Sequence, residues 1–314
     1  MALAAFFLGK ALPLVGGPVF GILLGLGLGA LRKPGASFKA GLQFSAKQVL
    51  QVAIILMGFG LSMGQVVKTG SESLVVMLTT LGVCLVGAML LGRLLGVSAN
   101  LTTLVGAGTG ICGASAIAAV APVVEAEERE VAYAISTVFA FNIVAVLLFP
   151  ALGHIIGFSQ QAFGLWAGTA INDTSSVVAA AYAYGQEAGA YATVVKLARA
   201  TMIIPMALGL AAFKSFGSRT GAVNVKWTKL VPWFILWFLG AALLRSAGLV
   251  PDLAVEWLPW AGRFLIIVAL SAVGLSADLR AVARTGWRPL ALGAILWVLV
   301  AVTSVVVQRL IGQM

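Results

Sequence analysis

One carboxylate, two cations and a doubled run of small polar residues carry the chemistry this chain can do. Asp173 lies in AGTAINDTSSVVAAA, Ala167 to Ala181, inside a segment that is otherwise apolar and of membrane length. The same pattern occurs earlier as AGTGICGASAIAAVA, Ala107 to Ala121, at a constant offset of 60 residues. Both copies read AGT-x-I-x-x-x-S-x-[IV]-x-A. Backbone that leaves the helix at membrane depth is tolerated only where it is buried in protein or lines a cavity. Two interrupted hydrophobic segments in matching positions are the sequence pointer to a transporter binding site.

The candidates in the first copy are Thr109, Gly110, Cys112, Gly113 and Ser115; in the second they are Thr169, Asn172, Asp173, Thr174, Ser175 and Ser176. At a helix break, exposed N–H groups and the positive end of the helix dipole suit an anion. Opposed carbonyl ends suit a cation or proton. The competing explanation is close helix packing, which small residues also allow. A charge at the bilayer centre costs about 2.5–3.5 kcal/mol on insertion scales, so Asp173 should be paired, protonated or ion-bound. It could equally cap a helix through the N–H groups of Ser175 and Ser176. Lys196 and Arg199 in YATVVKLARATMIIP are read as the only cations well inside a segment, on one helix face by their spacing of three. There they could snorkel to the interface, neutralise Asp173 or hold a divalent anion. Asn142 is the nearest buried amide by position, with a helix-to-helix hydrogen bond as its simpler role.

These residues sit in a chain of 314 residues, 61% hydrophobic and only 10% charged. A soluble domain carries about 25% charged residues, so the composition implies an all-α polytopic membrane protein. The length fits about ten membrane segments of about 20 residues. The net charge of +10 does not imply a nucleic-acid partner, because twelve of the twenty basic residues fall in four short loops. Those loops hold Arg32, Lys33, Lys39 and Lys47; Arg93; Lys214, Arg219, Lys226 and Lys229; and Arg280, Arg284 and Arg288. That distribution is what the positive-inside rule produces. The N-terminal MALAAFFLGKALPL is too short to span and lacks signal-peptide features. His154, the one histidine, is expected at a loop, so neither a His triad nor a His metal cluster is available. AGTGICG lacks the G-K-[ST] ending of a phosphate loop. Cys84 and Cys112 form no metal spacing or disulfide framework. The reading is therefore not an enzyme, with no cofactor.

The expected segments run about 12–31, 49–66, 74–91, 101–124, 131–152, 163–184, 191–213, 230–244, 260–275 and 290–310. The last three echo the first three. Pro18 and Pro232 open similar stretches, GLS recurs at Gly60 and Gly274, KTG at Lys68 matches RTG at Arg284, and GRLLG at Gly92 matches QRLIG at Gln308, all at offsets of 213 to 216. Four matches in order indicate an internal duplication, and the basic loops make it inverted. The expected division is 1–96 as panel segments, 97–228 as a core with both AGT segments, and 229–314 as the inverted echo. Whether each AGT segment spans fully or turns back as a re-entrant hairpin stays open, with the balance toward hairpins or deeply broken helices.

In order and spacing, GAGTGICGASAIAA, N-x-x-A-x-x-x-x-P from Asn142 to Pro150, AGTAINDTSSVVAA and VVKLARA resemble the YeiH-like family of bacterial inner-membrane proteins named for sulfate export. The resemblance covers nearly the whole chain. It implies an inverted-repeat secondary transporter with two broken or re-entrant core segments, exporting a small inorganic oxyanion such as sulfate or sulfite. Members usually carry a longer hydrophobic N-terminus than this chain. Expected partners are the anion, a coupling proton or sodium ion at Asp173, and the lipid bilayer, with a homodimer as a candidate assembly. Lys196 and Arg199 beside an N–H-rich knot would hold the anion, Arg bidentately. The alternatives are a monovalent cation/proton antiporter with Asp173 as ion ligand and Lys196 as counter-charge, and a non-transporting membrane scaffold.

Overall fold

The computed structural model describes residues 1–12, 15–31, 34–217 and 232–314. Among them every regular element is helical. In order these are α1 (Ala2–Ala11), α2 (Gly16–Leu31), α3 (Ala36–Phe44), a π-turn (Ser45–Val49), α4 (Leu50–Gly58), α5 (Met63–Leu94), α6 (Ala99–Gly110) and α7 (Ala114–Val124). There follow α8 (Glu128–Ile156), α9 (Gln160–Ala170), α10 (Thr174–Tyr184), α11 (Gln186–Thr201) and α12 (Ile203–Gly217). After the gap come α13 (Trp233–Ser246), α14 (Asp252–Ser276), α15 (Leu279–Arg284) and α16 (Trp287–Leu310). Of the basic residues expected in loops, Arg32, Lys33, Arg219, Lys226 and Lys229 lie outside the described residues, and Lys39, Lys47, Arg93, Lys214, Arg280, Arg284 and Arg288 lie in helical elements instead, most of them near an element's end.

Six helical stretches among the described residues are long and apolar enough to cross a membrane: Ser37–Gly58, Met63–Leu94, Glu128–Ile156, Gln186–Ala212, Asp252–Ser276 and Trp287–Leu310. The other four of the expected ten segments differ for a local reason. Two are shorter helices, α2 and α13, and the two AGT segments are each split into half-length helices. Boundaries also shift. The expected segment 49–66 stops at Gly58, because Ser62 and Gln65 form a capping box that starts α5. The segment expected over 260–275 starts instead at Asp252, since Glu256 and Pro259 are carried inside α14. His154 is in the last turn of α8, not in a loop, and stacks on Tyr184 at 4.3 Å.

Both AGT segments are helical hairpins. In the second, a Cβ at Gly164 would meet Ala188, Tyr191 and Ala192, and one at Gly168 would meet Ala192 and Val195. Numbers rise together on the two helices, so α9 and α11 run parallel and α10 between them must run back. Gln160 Oε1 accepts from the N–H groups of Glu187 and Ala188 at 3.0 and 3.2 Å, tying the start of α9 to the start of α11. In the first, Gly108 packs against Ile117, and Ser98 at the start of α6 donates to Glu130 at the start of α8. The acidic turn therefore sits at the base of hairpin 1. Helix α8, with 29 residues and about 43 Å long at 1.5 Å per residue, leaves that base and ends where Gly153 packs on Phe163 and Tyr184. That point is the base of hairpin 2, so the hairpins enter from opposite ends and their tips meet beside the middle of α8.

Packing groups the helices differently from sequence order. Helices α5 and α16, expected with an outer panel, pack on each other and on the hairpins through α6 and α9. Helices α2, α4 and α14 form a separate layer, with α13 against α4. A small apolar cluster joins that layer to α8 and hairpin 2: Val19, Ile22, Ala53, Met57, Ile266 and Leu270 meet Val146, Val178, Ala179 and Ala183. Helix α10 touches α2 and α14, whereas α7 packs on α6, α8 and α12 and leaves Ala114, Ser115 and Ala118 exposed.

Candidate functional site

Helix α6 ends in the middle of the molecule, where its last carbonyls lack helical partners. Gly108 O is taken by the N–H of Gly113 at 2.9 Å, and Ala107 O by that of Ile111 at 3.0 Å. The next three go to side chains of α11. Arg199 Nη2 donates to Thr109 O and Arg199 Nε to Gly110 O, both at 2.8 Å. Lys196 Nζ donates to Ile111 O at 2.8 Å and, with its second N–H, to Ile171 O at 2.8 Å. Ile111 and Ile171 are the matching isoleucines of the two AGT copies. One ammonium therefore pins both tips, at the negative ends of α6 and α9, where a cation is favoured.

This placement changes the role expected of the cations. Both are fully buried, so neither snorkels. The Nε/Nη2 edge that would grip an oxyanion bidentately is already on Thr109 and Gly110. Among the described residues neither lies within 4.0 Å of a carboxylate, so the expected neutralisation of Asp173 is through space and not an ion pair. The charge is held by backbone carbonyls, which no side-chain pattern reveals.

Asp173 is the N-cap of α10: its carboxylate accepts from the N–H of Ser175 at 2.9 Å and from the Ser175 hydroxyl. Asn142 Oδ1, from α8, accepts from the N–H groups of Asn172 and Asp173, both at 3.2 Å. Its partner is thus the tip backbone and not another helix side chain. Replacing Asn142 with Ala would orphan two tip N–H groups at about 1–3 kcal/mol each, and thermal unfolding in detergent should register the loss. The Asn172 side-chain oxygen is buried without a partner among the described residues.

The first tip is different. Gly113 caps α7 with φ 68° and ψ −130° and has no side chain to offer, so the N–H groups of Ala114 and Ser115 have no partner among the described residues. A Cβ on Gly113 would sit 3.6 Å from Asp173 Cβ, ordinary contact, so the glycine is required by its backbone. Gly113→Ala should cost about 1–3 kcal/mol of strain, read as a lowered unfolding midpoint.

The structure therefore brings together Thr109, Gly110, Gly113, Asn142, Asn172, Asp173, Ser175, Lys196 and Arg199 at the tips. Cys112 lies buried in tip 1 and Ser115 is exposed beside it. Thr174 and Ser176 begin α10. Thr169 is drawn away, its hydroxyl 2.7 Å from that of Ser304 on α16. Cys84 is buried and 3.5 Å from Gly106 O. The reading of the sequence missed Arg263, a cation well inside a long helix, because α14 begins eight residues before the expected segment. Counting back from Arg263 to the turn at Gly248 would have found it.

A family profile described as conserved hypothetical protein 698 matches residues 1–293. This chain belongs to that family. It is 39% identical over 332 residues to a UPF0324 membrane protein of Fusobacterium nucleatum, covering 99% of this chain and 96% of the relative. It is 39% identical over 328 residues to one of Clostridium tetani, covering 100% and 95%, and 41% identical over 327 residues to one of Streptococcus mutans, covering 99% and 95%. No solved structure matches. Family membership and a membrane-embedded chain follow. These relatives are named only as membrane proteins.

Proposed function

We propose that this family member is a secondary transporter of a small inorganic oxyanion, of the sulfate or sulfite kind, across the bacterial cytoplasmic membrane. The observation that carries the reading is the meeting of the hairpin tips. Lys196 and Arg199 fix the carbonyl ends of α6 and α9, which turns the N-termini of α7 and α10 toward the same small region. Free N–H groups of α7, with two buried positive charges behind them, form a positive field in a low-dielectric setting, which favours an anion. Asp173, half-buried at the opposite tip, is the coupling group that exchanges a proton.

In this reading the hairpins are re-entrant and the two halves are related by inversion, with the basic loops and the base of hairpin 1 facing the cytoplasm. Ala114 and Ser115 at the start of α7 are exposed, while α10 is packed against α2 and α14. The sequence echoes at offsets of 213 to 216 residues support it. A cation/proton antiporter would use the same Asp173, but the tip carbonyls a metal cation needs are held by Lys196 and Arg199.

The test is flux of labelled sulfate and sulfite into liposomes holding purified protein, wild type against Ser115→Asp. Aspartate suits the first turn of a helix, so the variant should fold yet repel the anion. Anion flux that is lost in the variant is the expected result. Sodium- or lithium-driven proton movement without anion flux would replace this reading by the antiporter, and flux indifferent to Ser115→Asp would remove the anion from the tips.

A further inference from the structure

Arg263 lies 11 residues into the 25-residue helix α14, about 17 Å along it at 1.5 Å per residue. Such a cation inside a membrane helix is costly unless it has a partner or a water-filled cavity. Among the described residues it has neither a hydrogen-bond acceptor nor a carboxylate within 4.0 Å. On its own helix face the next carboxylate, Glu256, is seven residues back, about 10 Å nearer the helix end. Arg199, fully buried, spends its donors on carbonyls; Arg263, half-buried, keeps its own.

What Arg263 has is space. It lines a cavity of about 270 Å³ between α1, α2 and α14 on one side and α10 and α11 on the other, with Tyr182, Gln186 and Trp260 in the wall. A second cavity of about 110 Å³ shares Tyr182, Gln186 and Arg263 and continues to Ala190 and Thr193. Since liquid water takes about 30 Å³ per molecule, the larger cavity has room for a tetrahedral oxyanion with part of its hydration. Lys10 stands exposed at the rim. The charged side chains in its lining are Lys10 and Arg263, both cations.

We propose that this cavity is a second anion site. Arg263 takes a small tetrahedral oxyanion, with the Tyr182 hydroxyl and the Gln186 amide as neutral donors, on the route between the hairpin-2 end of the molecule and the hairpin tips. Binding stands on Arg263 and its cavity alone; the place on a route rests on the transporter reading. The apolar wall strengthens the guanidinium's field relative to open water. A phospholipid headgroup offers the same chemistry as free sulfate, and the experiment separates the two.

The experiment places a cysteine at Ala190, beside the proposed donors but not one of them. Wild type is the blank, because Cys84 and Cys112 are both buried. Purified full-length Ala190→Cys is treated with methanethiosulfonates carrying a sulfonate or a trimethylammonium group, in phospholipid-free detergent and again in phosphatidylglycerol liposomes. The sulfonate reagent should react several-fold faster, sulfate should slow it, and Arg263→Gln should abolish both effects while Arg263→Lys keeps them. Equal rates for the two reagents, no reaction at all, or a preference that survives Arg263→Gln overturns the site. Protection by phosphatidylglycerol and not by sulfate assigns it to a headgroup and overturns the route. None of these readouts requires flux, so a failed transport assay leaves them intact.

Discussion

Arg199→Met lowers the unfolding midpoint well below that of the wild type. The variant removes the donors to Thr109 O and Gly110 O, which stay buried at the end of α6. An orphaned buried acceptor costs about 1–3 kcal/mol, so two of them put the loss at about 2–6 kcal/mol. Replacing a buried ion pair by apolar groups is often neutral, because both charges leave together. Here the partners are backbone carbonyls, which cannot be removed, so the destabilising sign wins. Arg199→Lys restores a charge but only a point donor, and should recover part of the loss. Tryptophan-fluorescence melting in detergent, with exposed Arg309→Met as control, measures it. A shift no larger than the control's would mean the guanidinium does not hold tip 1.

Asp173→Asn leaves the fold in place and, in the proposed transporter, removes the pH response of anion flux. Asparagine caps a helix about as well as aspartate, so the N–H of Ser175 keeps an acceptor. What disappears is the titratable proton. Asp173→Ala loses the cap as well and should cost about 1 kcal/mol further. Flux measured across a pH series separates the roles: a flat profile with normal melting in Asp173→Asn is expected. An unchanged profile would leave Asp173 a cap and nothing more, and the coupling group would have to be sought elsewhere.

The positions of the two breaks were legible from residue types alone. Gly113 at φ 68° and the Asn172-Asp173-Thr174 run are local backbone instructions, and the doubled motif repeats them at one spacing. The membrane character was legible as well, because 61% hydrophobic residues leave no other solvent for these helices. Asn142 is a buried amide, as its position indicated, yet its partner was not legible, since it binds N–H groups that every residue but proline carries.

The direction the chain takes after each break came only from tertiary structure. A break in the helix is set within a few residues, but whether α10 continues or returns depends on Gly164 and Gly168 meeting Ala188 to Val195, contacts distant in sequence. Charge told the same story. Sequence placed Lys196 and Arg199 on one buried helix face, and the natural partner in sequence was Asp173. The fold instead gave them the carbonyls of Thr109, Gly110, Ile111 and Ile171. Carbonyls are invisible in a sequence because all residues have them; only packing decides which ones are left without a helix partner. Arg263 stayed hidden for a local reason, since the depth of a cation is set by where its helix begins, and α14 begins at Asp252, ahead of the apolar run that drew the expected boundary.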